Sequence, residues 1–150
     1  MNLLNILVDA MGGDNAPRAI VEGCIKAVDE QEGFDILLIG DEKEIDKILK
    51  DNKFNSSRIG IYHTDEVITN DDIPTKAIKT KKNSSMVMGL NLLKEDKGDV
   101  FISAGNSGAL MTGVTFILGR LEGIDRPALA PVIPTKVGGA LLIDAGFNTV

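Results

Sequence analysis

The sequence is poor in the residues that carry metal, redox and base-stacking chemistry. Its 150 residues include one cysteine, one histidine, one tyrosine and no tryptophan. A single cysteine, Cys24, forms neither an internal disulfide nor a cysteine-rich metal site, and His63 has no second ligand at a spacing suited to zinc. We therefore expect no metal and no cofactor.

Long apolar runs are also missing, and the chain has no excess of basic residues. No apolar stretch approaches the roughly 18 residues of a membrane span, and the N-terminus lacks the basic region of a secretory signal. The formal net charge is −6 and only 4% of residues are aromatic, which argues against nucleic acid as a partner. A cytoplasmic protein is the expectation.

Two common nucleotide motifs are absent as well. No G-x-G-x-x-G follows the first predicted strand, so the dinucleotide fingerprint is missing, and no G-x-x-x-x-G-K-[ST] occurs. No serine stands on a recognisable nucleophile elbow, although sequence alone does not exclude a Ser-His-Asp triad. A hydride-transferring dehydrogenase is thereby weakened as an interpretation.

Apolar runs alternate with helical patterns along the chain. Short apolar segments predict strands, and apolar residues at helical spacing predict helices between them. We expect an α/β fold with three α/β/α layers and a mainly parallel sheet, formed by residues 1–150 as one domain and continuing in a longer enzyme. The predicted strands are 3–9, 34–39, 58–62, 100–103 and 140–144. The third and fourth are separated by one long, mostly helical segment, 75–95.

Glycine-bearing loops follow three of these strands. In open α/β sheets, ligands bind beyond the carboxyl ends of the strands, where glycine lets the backbone approach an anion closely. These loops predict a phosphate-type anion site, with a plain tight turn as the alternative. The candidate residues are Gly12, Gly13 and Asp14 after the first strand, Ser103, Gly105, Asn106, Ser107 and Gly108 after the fourth, and Asn148 after the last.

One basic cluster, residues 76–86, stands out in the acidic chain. It contains Lys81 and Lys82, which would hold phosphate or attract an acidic protein. The alternative is a solvated helix face that balances nearby acidic residues. Arg126, in the rigid 123–127 loop, poses the same choice. Cys24 lies on an apolar helix stripe and is interpreted as packing; His63 is interpreted as a loop or packing residue.

Four segments in order resemble the bacterial acyl-carrier-protein:phosphate acyltransferases, over essentially the whole chain. They read VDAMGGDNAP (8–17), KKNSSM (81–86), SAGNSGAL (103–110) and GIDRPALA (123–130). The resemblance implies a fold similar to phosphate acetyltransferases and the isocitrate dehydrogenase group. It also implies a cytoplasmic homodimer, associated peripherally with the membrane, that supplies phospholipid synthesis. Family members are more than twice this length.

The implied reaction moves a fatty acyl group from acyl carrier protein to inorganic phosphate. We expect Asn106, Lys81 or Arg126 to stabilise developing charge, and the glycine-loop residues with Lys82 to bind phosphate. The cluster lysines are also expected to dock the acidic carrier protein. The final loop departs from the family pattern, with Phe147 in place of alanine and Val150 in place of aspartate.

Two other functions stay open at this point. One is a phosphotransacylase of the same fold group that uses coenzyme A. The other is a non-catalytic anion-binding module built from a truncated chain, an interpretation favoured by the altered final loop. Dependence on carrier protein separates the first from the predicted enzyme, and phosphate binding without turnover would identify the second.

Overall fold

The computed structural model describes residues 3–54, 56–124, 127–128 and 130–143. The chain divides into two compact units, Met1–Gly119 and Arg120–Val150, and each is described by itself. Within the described residues, no helix has both the length and the apolar character needed to cross a bilayer.

The first unit is built on a four-stranded parallel sheet. Its strands lie in the order β3-β2-β1-β4, with Leu7 of β1 opposite Leu37 of β2 and Phe101 of β4. The strands are β1 (Leu4–Asp9), β2 (Phe34–Gly40), β3 (Ile59–His63) and β4 (Val100–Ile102). The helices are α1 (Arg18–Glu30), α2 (Glu42–Asp51), α3 (Pro74–Thr80), α4 (Ser85–Lys94) and α5 (Ser107–Gly113), the last continuing as a π-helix over Val114–Leu118.

Alternating residues of β1 supply both faces of the sheet, as the period of a strand requires. Val8 packs in a cluster with residues of α1 and α2, including Val21 and Ile45. Leu7, on the other face, packs against Leu92 of α4. Helices therefore cover both faces of a parallel sheet, and the predicted three-layer α/β/α fold is confirmed.

Cys24 belongs to the first of these apolar clusters and is 8% exposed. Burial raises the pKa of its thiol to about 11, because removal from water disfavours the thiolate. The side chain is thus a buried, protonated thiol at neutral pH, and its interpretation as a packing residue is confirmed.

The segment 75–95 is mostly helical, as predicted, but the structure divides it into two helices, α3 and α4. Lys81 ends α3, and Ser84 accepts a hydrogen bond from Val87 N at 3.4 Å as the N-cap of α4. A serine hydroxyl that satisfies a free amide of the first turn favours a new helix start over continuation. The break places Lys81 and Lys82 in a turn between two helices.

The second unit contains a β-hairpin that includes part of the strand predicted at 140–144. Strands β5 (Val132–Thr135) and β6 (Gly138–Leu141) pair antiparallel, with Thr135 opposite Gly138. Only Lys136 and Val137 separate them, and a connection this short permits antiparallel but not parallel pairing. The predicted strand is confirmed at residues 140 and 141, while 142 and 143 lie beyond the end of β6; residue 144 lies outside the described residues.

Candidate functional site

The glycine loops after β1 and β4 meet at the carboxyl edge of the sheet. Val8 of β1 lies opposite Ile102 of β4, so the two chains leave the sheet side by side. A Cβ atom on Gly105 would lie 3.2 Å from Gly12 Cα, and one on Gly12 would lie 2.9 Å from Gly105 N. The predicted loops are brought into contact, and this contact requires both glycines.

A buried carboxylate, Asp9, joins the same two loops. Asp9 is 2% exposed, and its Oδ2 accepts a hydrogen bond from Ser103 Oγ at 2.7 Å while its Oδ1 accepts one from Met11 N at 3.2 Å. Ser103 Oγ in turn accepts from Gly105 N at 3.1 Å. The apolar pattern predicts Asp9 only as the end of a strand; the signal that could have identified it is a charged residue between a buried strand and a glycine loop.

The segment 67–72, here called the Val67–Asp72 loop, was also missed. Asn70 of this loop donates from Nδ2 to Asp14 Oδ1 at 3.1 Å. A cleft of about 250 Å³ lies between the loop and the β1–α1 turn. Its walls are formed by Met11, Gly13, Asp14, Val67, Ile68, Thr69 and Asn70.

Asn106 fastens this loop to the start of α5. Its Oδ1 accepts from Ala109 N at 2.9 Å as the helix N-cap. Its Nδ2 donates to Thr69 O at 3.1 Å and to Asp72 O at 3.3 Å. Both ends of the amide are therefore engaged in holding the Val67–Asp72 loop.

Lys81 contacts both ends of the same loop. Its Nζ donates to Val67 O at 2.8 Å and pairs with Asp72 Oδ2 at 2.5 Å. Hydrogen bonds from Lys81, then from Thr69, lower the pKa of the Asp72 carboxyl below its ordinary value. The positive charge of Lys81 is thus balanced within the protein.

Lys82 differs from its neighbour. It is exposed, and no hydrogen bond or ion pair within the described part of the chain uses its Nζ. Lys76 and Lys79 on α3 are exposed in the same way. These three lysines, unlike Lys81, present charge to solvent and to any bound anion or acidic partner.

The remaining predicted residues divide between the site and its surroundings. Ser107 is exposed at the start of α5, while Gly108 packs so closely that a Cβ atom would lie 2.9 Å from Pro74 Cγ. His63 Nδ1 accepts from Glu42 N at 3.2 Å and so supports the start of α2. Arg126, Asn148 and the altered positions Phe147 and Val150 lie outside the described residues.

The donor set at this edge suits an oxyanion better than a metal ion. Backbone amides and the exposed Ser107 hydroxyl belong to the loop that carries Gly105, and such groups donate hydrogen bonds to phosphate-type oxygens. Among the described residues, no three His, Cys, Asp or Glu side chains are grouped as metal ligands.

The fold of the chain is similar to that of a solved phosphotransacetylase. The chain superposes on the EutD phosphotransacetylase from Staphylococcus aureus with a TM-score of 0.64 at 15% identity, covering 97% of this chain and 47% of that one. Residues 4–150 match the sequence pattern described as fatty acid synthesis protein, and the chain belongs to that family.

Curated relatives named phosphate acyltransferase match nearly the whole chain. The protein from Acetivibrio thermocellus is 66% identical over 145 residues. Those from Bacillus licheniformis and Caldanaerobacter subterraneus are 51% and 50% identical over 146 residues. Each alignment covers 97% of this chain and 43% of the relative, so the chain spans less than half the length of these relatives.

Proposed function

We propose that this protein contributes to the transfer of a fatty acyl group from acyl carrier protein to inorganic phosphate, giving acyl phosphate for phospholipid synthesis. The observation that carries the proposal is the contact between the Gly12 and Gly105 loops, whose backbone amides suit phosphate. The name phosphate acyltransferase, borne by relatives up to 66% identical, supports the same reaction.

The reaction needs no nucleophile from the protein. A phosphate oxygen attacks the thioester carbonyl, a tetrahedral intermediate forms, and the carrier thiolate leaves. The protein has to hold phosphate beside the carbonyl and stabilise the negative charge that develops. This agrees with a buried Cys24 whose pKa is raised to about 11 by burial.

The candidate residues take different roles in this proposal. Backbone amides of residues 106–108, the Ser107 hydroxyl and Lys82 bind phosphate, while Gly12, Gly13 and Asp14 shape the opposite wall. Lys81 and Asn106 act through the Val67–Asp72 loop, because their polar atoms are already bonded to it. Arg126 and Asn148 remain predictions from the sequence.

The partner is proposed to be the acidic acyl carrier protein. Lys76, Lys79 and Lys82 are exposed, and complementary charge accelerates the encounter of two proteins. The homodimer, the cytoplasmic location, the peripheral membrane association and the single α/β domain at the start of a longer enzyme also remain predictions.

The longest natural chain containing residues 1–150 provides the test. Acyl-carrier thioester, phosphate and hydroxylamine are mixed, and trapped acyl product is measured against acyl-coenzyme A and a short acyl thioester. We expect product only with phosphate, and most with long-chain acyl carrier protein. Product from acyl-coenzyme A alone would favour a coenzyme A-dependent phosphotransacylase, and bound phosphate without product would favour a binding module.

A lysine pair tests the docking surface in the same assay. Lys82→Gln should raise the Michaelis constant for acyl carrier protein, and added salt should raise it further, because both weaken charge attraction. Lys47→Gln removes an exposed lysine of α2 and should leave the Michaelis constant for acyl carrier protein unchanged. Equal effects of the two substitutions would contradict docking at the cluster.

A further inference from the structure

The Asp9 carboxylate is buried without a cation. It is 2% exposed, and no ion pair among the described residues includes it. Aspartate is rarely buried to this degree unless it is paired or hydrogen-bonded. Its bonds lead to Met11 N and to Ser103 Oγ, which places an acceptor-only group directly behind the glycine contact.

The carboxylate determines which way the Ser103 hydroxyl points. A hydroxyl has one hydrogen and two lone pairs, and a carboxylate only accepts hydrogen bonds. The Ser103 hydrogen is therefore directed to Asp9 Oδ2 at 2.7 Å, and one lone pair takes Gly105 N–H at 3.1 Å. One lone pair of a partly buried hydroxyl is left, and it can only accept.

An acceptor in an anion site distinguishes oxyanions by their protons. Near neutral pH inorganic phosphate carries at least one P–OH group, whereas sulfate carries no proton. Phosphate can donate to the remaining lone pair of Ser103, while a sulfate oxygen there would face a lone pair and lose its interaction with water without replacement. Binding the P–OH oxygen at Ser103 also leaves the unprotonated, more nucleophilic oxygens for the thioester.

We propose that Ser103, with its hydrogen held by Asp9, selects a protonated oxyanion, so that Asp9 is the positioning residue for phosphate selectivity. This inference rests on the proposed function, since it concerns the phosphate of that reaction. Arsenate, which keeps a proton near neutral pH, should bind as phosphate does. Sulfate should bind more weakly, by a factor on the order of tenfold or more, the value of one hydrogen bond to a charged group.

The test compares the Michaelis constant of phosphate with the inhibition constants of arsenate and sulfate, in the longest natural chain containing this segment. Asp9→Asn reverses the hydroxyl, because an amide donates from Nδ2 to Ser103 Oγ while Oδ1 keeps the bond to Met11 N. The freed Ser103 hydrogen should then favour sulfate, and the preference for phosphate should fall on the order of tenfold. A purely structural role would weaken phosphate and sulfate equally.

Two further variants make the result decisive. Ser103→Ala removes the acceptor and should abolish the preference, which decides the matter if Asp9→Asn does not fold. Asp41→Asn makes the same chemical change at the N-cap of α2, where asparagine caps as well as aspartate, and should leave the preference intact. Equal binding of sulfate and phosphate by the unaltered protein, or an unchanged preference in both site variants, would overturn the inference. Absence of any phosphate-dependent product in the unaltered protein would instead reject the proposed function.

Discussion

One charged side chain bridges neighbouring segments at each of two edges of the parallel sheet: Arg58 at the amino edge, where strands begin, and Asp9 at the carboxyl edge, where strands end. The two side chains form different kinds of contact. At the amino edge, where β2 and β3 begin, Arg58 donates to Val28 O, Gln31 O and Phe34 O at 2.7–2.9 Å. At the carboxyl edge, Asp9 accepts from Met11 N and Ser103 Oγ. Arg58 therefore donates hydrogen bonds to backbone carbonyls, whereas Asp9 orients a hydroxyl and a backbone amide beside glycines.

This difference separates a structural charge, Arg58, from the charge that we propose to act in phosphate binding, Asp9. Arg58 also lies 5.3 Å from the centroid of the Phe34 ring and 3.7 Å from Asp35 Oδ1, so packing and pairing surround its guanidinium. Around Asp9 the neighbouring positions Gly12 and Gly105 have no side chains, and the space is left to backbone. Glycines beside a buried charge thus distinguish the carboxyl edge, where we propose that phosphate binds.

The largest expected effect comes from filling that space at Gly12. A Cβ atom there would lie 2.5 Å from Asp9 Oδ2 and 2.9 Å from Gly105 N, so Gly12→Ala must push the two loops apart. Displacement of a site by about 1 Å lowers turnover on the order of a hundredfold, and overpacking costs about 1–3 kcal/mol of stability. Turnover of acyl phosphate and thermal unfolding measure the two effects.

Gly23→Ala is the matched control for that substitution. Gly23 lies within α1, and a Cβ atom there would have no neighbour within 4 Å. Replacing a helical glycine by alanine stabilises by roughly 0.5–1 kcal/mol, so stability should rise slightly with turnover unchanged. A Gly12→Ala protein that behaved like Gly23→Ala would show that the loop contact is not required.

At the amino edge the expected effect is on stability alone. Arg58→Met keeps an apolar stem but removes the donors to Val28 O and Phe34 O, which should lower the free energy of unfolding by about 2–3 kcal/mol. Arg18→Met breaks only the exposed pairs with Glu22 and Asp51, which should cost less than about 1 kcal/mol. Chemical denaturation measures both. A change in the Michaelis constant for phosphate with Arg58→Met would contradict the prediction that the amino edge affects stability alone.

The parallel sheet was predicted well because short apolar runs, which indicate strands, alternate along the chain with segments whose apolar residues recur at helical spacing. The sequence also located the loops at Gly12 and Gly105, since ligand sites follow strands in such folds. It did not predict the roles of Asn106 and Lys81, because their bonding to the Val67–Asp72 loop depends on contacts 34–37 and 9–14 residues apart. The break at Ser84 and the 132–141 hairpin were missed for a similar reason: a cap and a two-residue turn are weak local signals beside a strong apolar pattern.

The smallest expected effect is the change with pH in the stability that Asp72 contributes to the Val67–Asp72 loop. Hydrogen bonds from Lys81 and Thr69 lower the folded-state pKa of Asp72 below its ordinary 3.8, so the carboxylate stabilises the folded protein above that pH and loses this contribution as pH falls through the lowered value. Asp72→Asn lacks the charge and should be slightly less stable than the unaltered protein near neutral pH. The difference should shrink on acidification below 3.8, as followed by melting temperature.

The side chain of Asp71 makes no hydrogen bond or ion pair within the described residues, so Asp71→Asn should show a smaller difference from the unaltered protein at neutral pH. A constant gap between Asp72→Asn and the unaltered protein at every pH would mean that the Lys81 pair does not hold the Val67–Asp72 loop through charge.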